Sequence, residues 1–275
     1  MSIIALSTCV GSQGDEIGRE VASVLQYDFV DREVIARAAD RFGGDAAELR
    51  HVTEERPTLW ERFVDTKRHF VTYVEATIME LAARDRVVLA GLGAAMVLRG
   101  IPQALRVRVT APEHDRALRV EHQQGLTPEA SLDTVRAADR ERAARVRFLH
   151  HVDWEDPRLY DLVLNTARLT VPTAVRVLVE ALKDERYQTT PEALARTRDL
   201  ALVAQARATL LADPATRGLA LSIGCHDGVL TASGFVFDEG LRRTAEDLLR
   251  RLPGTSAVRT EITVVSSRPS YARMP

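Results

Sequence analysis

Ile3-Ile4-Ala5-Leu6-Ser7 runs into Gly11-Ser12-Gln13-Gly14-Asp15-Glu16-Ile17-Gly18, after which apolar residues recur at Ile17, Val21, Val24 and Leu25. A continuous apolar run, a glycine turn and a 3.6-residue period predict strand, loop and helix in that order. Glycines in such a turn let backbone N–H groups approach an anion, and the helix start adds partial positive charge. The turn is therefore the first candidate for a phosphate site, or a plain connection. The P-loop spacing of two glycines five apart is absent, and Asp15 follows Gly14 where that motif has lysine. Asp15 and Glu16 must face away, act through Mg²⁺, or cap the helix.

The rest of the first two-thirds repeats the alternation. A short strand near Tyr27 to Val30 leads into Asp31 and a helix with Val34, Ile35 and Ala38; after Pro57 a helical pattern runs through Leu59, Phe63, Phe70, Val74, Ile78 and Leu81. Val87 to Gly91 and Leu105 to Val109 read as interior strands, with a helical pattern from Ala94 to Leu98 between them. An arginine-rich helical region follows from Pro112 to His150, then a strand at Asp161 to Asn165 and a closing helix from Val171 to Lys183. Strands alternating with helices predict an α/β fold: a parallel sheet covered by helices on both faces.

The rhythm changes at Tyr187-Gln188-Thr189-Thr190-Pro191. We expect a nucleotide-binding unit over 1–188, a linker at 189–196, a small α+β unit over 197–266 and a loose tail at 267–275. The small unit reads α-β-β-α-β: a helix through Leu202 to Leu211, alternation at Leu219, Leu221 and Ile223, and a hairpin at His226-Asp227-Gly228. Val229 to Val236, a helix from Asp238 to Leu252 and a strand from Ala257 to Val265 follow.

Lysine and arginine total 37 against 39 acidic residues, a net charge of -2, so nothing draws the chain generally to nucleic acid. Any anion site must be local. Arg116, Arg119, Arg136, Arg140, Arg142, Arg145 and Arg147, with Asp139 among them, suit the lid of a phosphoryl-transfer site, or equally a solvated helix face. The N-terminus lacks a signal-peptide pattern, which leads us to expect a cytoplasmic protein. Cys9 and Cys225 suggest neither disulfide nor zinc, and the neighbours His150 and His151 face different ways on a helix, so no metal site is expected from them.

Taken together these residues resemble the cytidylate-kinase-like family of P-loop nucleoside monophosphate kinases. The resemblance rests on Gly11 to Gly18, on Val30-Asp31-Arg32-Glu33-Val34-Ile35, and on Arg106 to Pro112 followed by Arg116 and Arg119. Its most specific part is Asp139-Arg140-Glu141-Arg142 with Asp153-Trp154-Glu155-Asp156-Pro157-Arg158-Leu159-Tyr160-Asp161-Leu162-Val163-Leu164-Asn165-Thr166. It spans about residues 3 to 183.

The resemblance implies binding of ATP with Mg²⁺ at Gly11, Ser12, Gln13, Gly14, Asp15, Glu16 and Ile17, and a substrate nucleotide near Asp31 and Arg106. It implies a catalytic set of Arg116, Asp139, Arg140 and Arg142. Two departures stand out: the family usually carries arginine where Asp15 and Leu92 stand. Both an active pyrimidine nucleotide kinase and a catalytically degenerate nucleotide sensor are therefore open.

The C-terminal part resembles a BON domain, through Gly228-Val229-Leu230-Thr231-Ala232-Ser233-Gly234 and Pro253-Gly254-Thr255-Ser256-Ala257-Val258. That resemblance implies a protein, membrane or small-ligand partner and no catalytic set.

Overall fold

A computed structural model describes residues 2–31, 34, 38, 41, 42, 64–91 and 93–265, with backbone alone for 64–68. Expectations resting on Ile35, Leu59, Phe63, Leu92 and the tail 267–275 lie outside the described residues. Five strands form one sheet: β1 (Ile3–Thr8), β2 (Asp28–Val30), β3 (Val87–Ala90), β4 (Ala104–Thr110) and β5 (Leu162–Asn165). Their order is β2-β3-β1-β4-β5, and every neighbouring pair is parallel. The α/β expectation is met in full.

The strands are apolar on both sides because both faces are covered. Ile4, Leu6, Val88, Leu105, Val107 and Val109 pack under α1 (Gly14–Leu25), while Ile3, Ala5, Val87, Leu89 and Ala104 face the opposite layer. That layer includes α2 (Val64–Ala83) and the single turn α3 (Ala94–Val97). The arginine-rich region is two helices, α4 (Glu113–Gln124) and α5 (Pro128–His150). Gly125 ends the first at φ 66°, and Thr127 caps the second by accepting from the Ala130 amide. Helix α6 (Val171–Ala181), capped by Thr170, returns beside α1.

Helix α7 begins at Pro191, inside the stretch expected as a linker, and runs to Ala212, well beyond the turns expected around Leu202 to Leu211. Thr190 caps it and Pro191 occupies its first turn. Its apolar residues divide between two cores: Ala201, Ala204 and Ala208 join the layer with α2, whereas Leu202, Ala206 and Leu210 join the small unit. The turns before Ala201 are mostly exposed and carry no apolar period, which hides them from a search for amphipathicity. The buried side chains of Gln103 and Thr197 hydrogen-bond at 2.8 Å across the same boundary.

The small unit holds a second sheet, β6 (Ser222–His226), β7 (Val229–Val236) and β8 (Ala257–Val264), ordered β6-β7-β8, with α8 (Glu239–Arg250) between the last two in sequence. Asp227 and Gly228 have φ of 50° and 75°, the two positive values of a tight type I′ hairpin. Leu230, Ala232, Val236, Ala245 and Leu249 form its core with one stripe of α7.

Candidate functional site

In a sheet of this order the crevice for a ligand opens at the carboxyl ends of the strands, beside β1. The loop from Cys9 to Gln13 lies there and delivers the chain into α1. Gly11 has φ 74°, and a Cβ on it would meet the Arg116 carbonyl oxygen at 2.5 Å. A Cβ on Gly14 would meet Thr8 Cγ2 at 2.3 Å. Both glycines are thus required by contact with the protein's own chain, and Gly11 by backbone angle as well.

The loop carbonyls are held from behind. Arg116 Nη1 donates to Val10 O at 3.4 Å, Arg119 Nη1 to Gly11 O at 3.0 Å, and the Thr166 hydroxyl to Ser12 O at 2.9 Å. Because each trans peptide sets its N–H opposite its C=O, the amides of Gly11 and Gln13 turn away from α4 and Thr166. The Ser12 amide is used internally, on Cys9 O at 3.1 Å. The first amides of α1 add donors with no intrahelical acceptor. Ser12 Oγ is buried and makes no hydrogen bond. The backbone therefore fits an anion such as phosphate.

The side chains fit it less well. Asp15 accepts from the Thr8 hydroxyl at 3.5 Å and Glu16 from the Gln13 amide group at 3.2 Å, both in the first turn of α1. Gln13, the N-cap residue at φ 61°, makes no side-chain cap bond. A triphosphate at the loop would meet two carboxylates, and Asp15 is the residue that would hold a charge-neutralising cation such as Mg²⁺ there. Among the described residues, no three of His, Cys, Asp and Glu gather as a self-contained metal site.

The arginines divide into two groups. Arg116 is buried, with Nη1 and Nη2 on the Asp139 carboxylate at 3.1 and 2.6 Å and Nε on Ala111 O at 2.9 Å. Burial alone lowers its pKa, and the hydrogen bonds and charge of Asp139 more than reverse this, so it lies above the ordinary arginine value. Arg106, the third residue of β4, grips Asp161 with Nε and Nη2 at 3.2 and 2.7 Å. It stands four residues, roughly 13 Å, before the end of the strand. Both forks are closed on carboxylates, and neither guanidinium is presented to the loop as a bare charge.

The second group lies along α5. Arg142 donates to the carbonyl of Thr8, the last residue of β1, and lies 5.5 Å from the Trp154 ring centroid. Arg140, two residues before Arg142 and so on a different face of α5, is exposed and borders a cleft with Glu113, Arg136, Trp154 and Glu155. Asp31 sits just past β2 and accepts from Arg19 at 3.0 Å, while the Arg19 guanidinium covers the Phe29 ring. Asp31 and the glycine loop share the carboxyl edge of the sheet, and Arg142 meets the same edge.

Sequence reasoning missed the cluster beneath Arg142. Arg108, 6% exposed, stacks over Trp154 at 4.1 Å and donates to the Trp154 carbonyl and to Glu155. Trp154 Nε1 donates to Ser7 Oγ at 2.7 Å, and the Tyr160 hydroxyl to Trp154 O at 2.9 Å. The available signal was Arg108 itself, one of two arginines alternating with apolar residues in an interior strand, where a buried charge needs a partner.

A parallel sheet in this order, with a glycine loop leading from its first strand to a helix, defines a kinase-like protein with a P-loop-type nucleotide-binding fold. A protein of Eubacterium ventriosum has the same fold at a TM-score of 0.54 and 16% identity, covering 67% of this chain and all of that one. Residues 3–168 match the cytidylate kinase-like family. The cytidylate kinase of Pyrobaculum aerophilum is 32% identical over 183 residues, 66% of this chain and 92% of that protein. That of Pyrobaculum calidifontis is 28% identical over 181 residues, 66% and 92% of the two chains. This chain belongs to the cytidylate kinase-like family.

Proposed function

We propose that the chain is a nucleotide-binding phosphotransferase that moves the γ-phosphoryl group of ATP to a pyrimidine nucleoside monophosphate with Mg²⁺. The observation that carries this reading is the meeting of the glycine loop, the start of α1 and Arg142 at the end of β1. In this reading the amides of Gly11 and Gln13 and the first turn of α1 receive phosphates. Arg140 and Arg142 neutralise charge on the transferring group, and Asp15 supplies the carboxylate for Mg²⁺. Asp31, at the end of β2, borders the acceptor. Arg116, Asp139 and Arg106 position the loop and the strands around it. The identity to cytidylate kinases across 92% of their length supports the choice of a pyrimidine acceptor.

A second reading follows from one observation: Asp15 places negative charge in the first turn while Arg116 is closed on Asp139. A charge-assisted phosphate contact is worth roughly 1.5–3 kcal/mol, so such a site binds a nucleotide without transferring it efficiently. The protein is then a nucleotide sensor, and the C-terminal unit, with the α-β-β-α-β order and tight hairpin of a BON domain, docks a protein or membrane partner. Among the described residues no helix is long and apolar enough to cross a membrane.

Calorimetry with ATP and CMP, with and without Mg²⁺, followed by a coupled assay, separates the readings. Turnover that is lost in Arg142→Ala establishes the kinase. Binding without turnover favours the sensor, and no binding refutes both.

A further inference from the structure

We propose that the free edge of β8 pairs antiparallel with the same strand of a second copy of this chain, joining two small sheets into one across a twofold axis. In the sheet β6-β7-β8, β7 lies on one side of β8, and among the described residues no strand pairs with its other edge. The Val265 amide donates to Val236 O, and β7 and β8 run parallel in register from Val229↔Ala257 to Val236↔Val264. Odd-numbered residues of β8 therefore bond to β7. Val258, Thr260, Ile262 and Val264 present their N–H and C=O groups at the free edge, a ready template for another strand.

Side chains choose both the partner and the register. Opposed residues in an antiparallel pair must both direct their backbone groups inward or both outward, so a self-pairing of β8 is centred on a residue. Centred on Thr260, it sets Arg259 opposite Glu261 twice, on the face away from α8, and Val258 opposite Ile262 twice, on the core side. Moving the centre one residue either way sets Arg259 against Arg259 or Glu261 against Glu261, and like charges directly opposed are destabilising. Only the Thr260 register among these three is self-complementary.

An independent observation marks the same residue. Thr260 Oγ1 is buried and makes no hydrogen bond. In this register two Thr260 side chains stand opposite each other across the twofold axis, and a χ1 rotation that turns the covered hydroxyl toward the edge lets the paired threonines hydrogen-bond between strands. Reading Arg259 and Glu261 only as charges that protect an edge leaves that hydroxyl unexplained.

The test uses the full chain in sedimentation and light scattering. The wild type is expected at twice the chain mass. Glu261→Arg opposes two arginine pairs and weakens association by about tenfold or more. The exchange Arg259→Glu with Glu261→Arg restores it. Thr260→Pro removes a donor that the β7 ladder does not use, so it abolishes the dimer without changing the circular dichroism melt. A monomeric wild type, a dimer indifferent to Thr260→Pro, or a folded charge-exchange variant that stays monomeric overturns the proposal.

Discussion

Arg116 and Asp139 lock α4 to α5 through a two-point ion pair, 3.1 and 2.6 Å, and the same guanidinium reaches back to the carbonyl of Val10 in the glycine loop. One arginine thus fixes both the helix pair and one peptide plane of the candidate phosphate site. Closing the fork on a carboxylate gives it a structural partner in the absence of any nucleotide.

Removing one member of that pair leaves a charge facing little solvent. Asp139→Ala is expected to lower stability by about 2–3 kcal/mol in urea, toward the low end for buried pairs because Asp139 is partly exposed. The apolar double replacement Arg116→Met with Asp139→Leu should recover most of the loss. If Asp139→Ala instead leaves the urea midpoint unchanged, the pair does not hold the two helices.

Gly11→Ala tests the closeness of the loop to α4. The new Cβ meets the Arg116 carbonyl oxygen at 2.5 Å and the backbone sits at φ 74°. The expected cost is about 2–3 kcal/mol, and ATP binding measured by calorimetry should be lost even where the variant remains folded.

The charge at position 15 sets affinity rather than fold. Without Mg²⁺, Asp15→Arg exchanges a repelling carboxylate for a charge-assisted contact and should tighten ATP binding by at least about tenfold, while the gain that Mg²⁺ gives the wild type should be lost in the variant. Equal affinities in wild type and variant would mean that the first turn of α1 does not face the phosphates.

In the small unit, Asp199 of α7 accepts from the amides of Asp227 and Gly228, both at 2.9 Å, and from Cys225 Sγ at 3.3 Å. Burial raises its pKa, but the Gly228 amide, the thiol, the Asp227 amide and the charge of His226 together bring it below the ordinary carboxylate value. A carboxylate depressed in the folded state stabilises fully above the unfolded value of about 3.9 and loses that contribution as pH falls through the folded one. Asp199→Ala should therefore cost about 1–3 kcal/mol at neutral pH, with the gap from wild type closing in melts taken below pH 4.

The same carboxylate governs a thiol. Burial first, and then Asp199, push Cys225 up to about 12. Iodoacetamide should label it slowly at pH 8, since the thiolate is the reactive form, and Asp199→Asn should accelerate labelling. Rapid labelling of the folded wild type would contradict this environment.

The sequence by itself determined the alternation of elements. Apolar runs at Ile3 to Leu6, Val87 to Ala90 and Leu105 to Val109 admit little but interior parallel strands, and Asp227-Gly228 dictates its turn, because these signals depend on residues adjacent in the chain. The position of the candidate site was legible for the same reason, since a glycine turn between strand and helix is local.

Only tertiary structure decided what each charge does. Arg106 and Arg116 read as phosphate ligands, yet their closest carboxylates, Asp161 and Asp139, lie 55 and 23 residues away. Trp154 and Ser7, 147 residues apart, are joined by one hydrogen bond that no spacing reveals. Helix α7 likewise hid its first turns because they are mostly exposed and show no apolar period, the helix burying its side chains only from Thr197 and Ala201 onward. Local backbone preferences are written within a few residues; the partner of a charge or a stripe is chosen by packing across the whole chain.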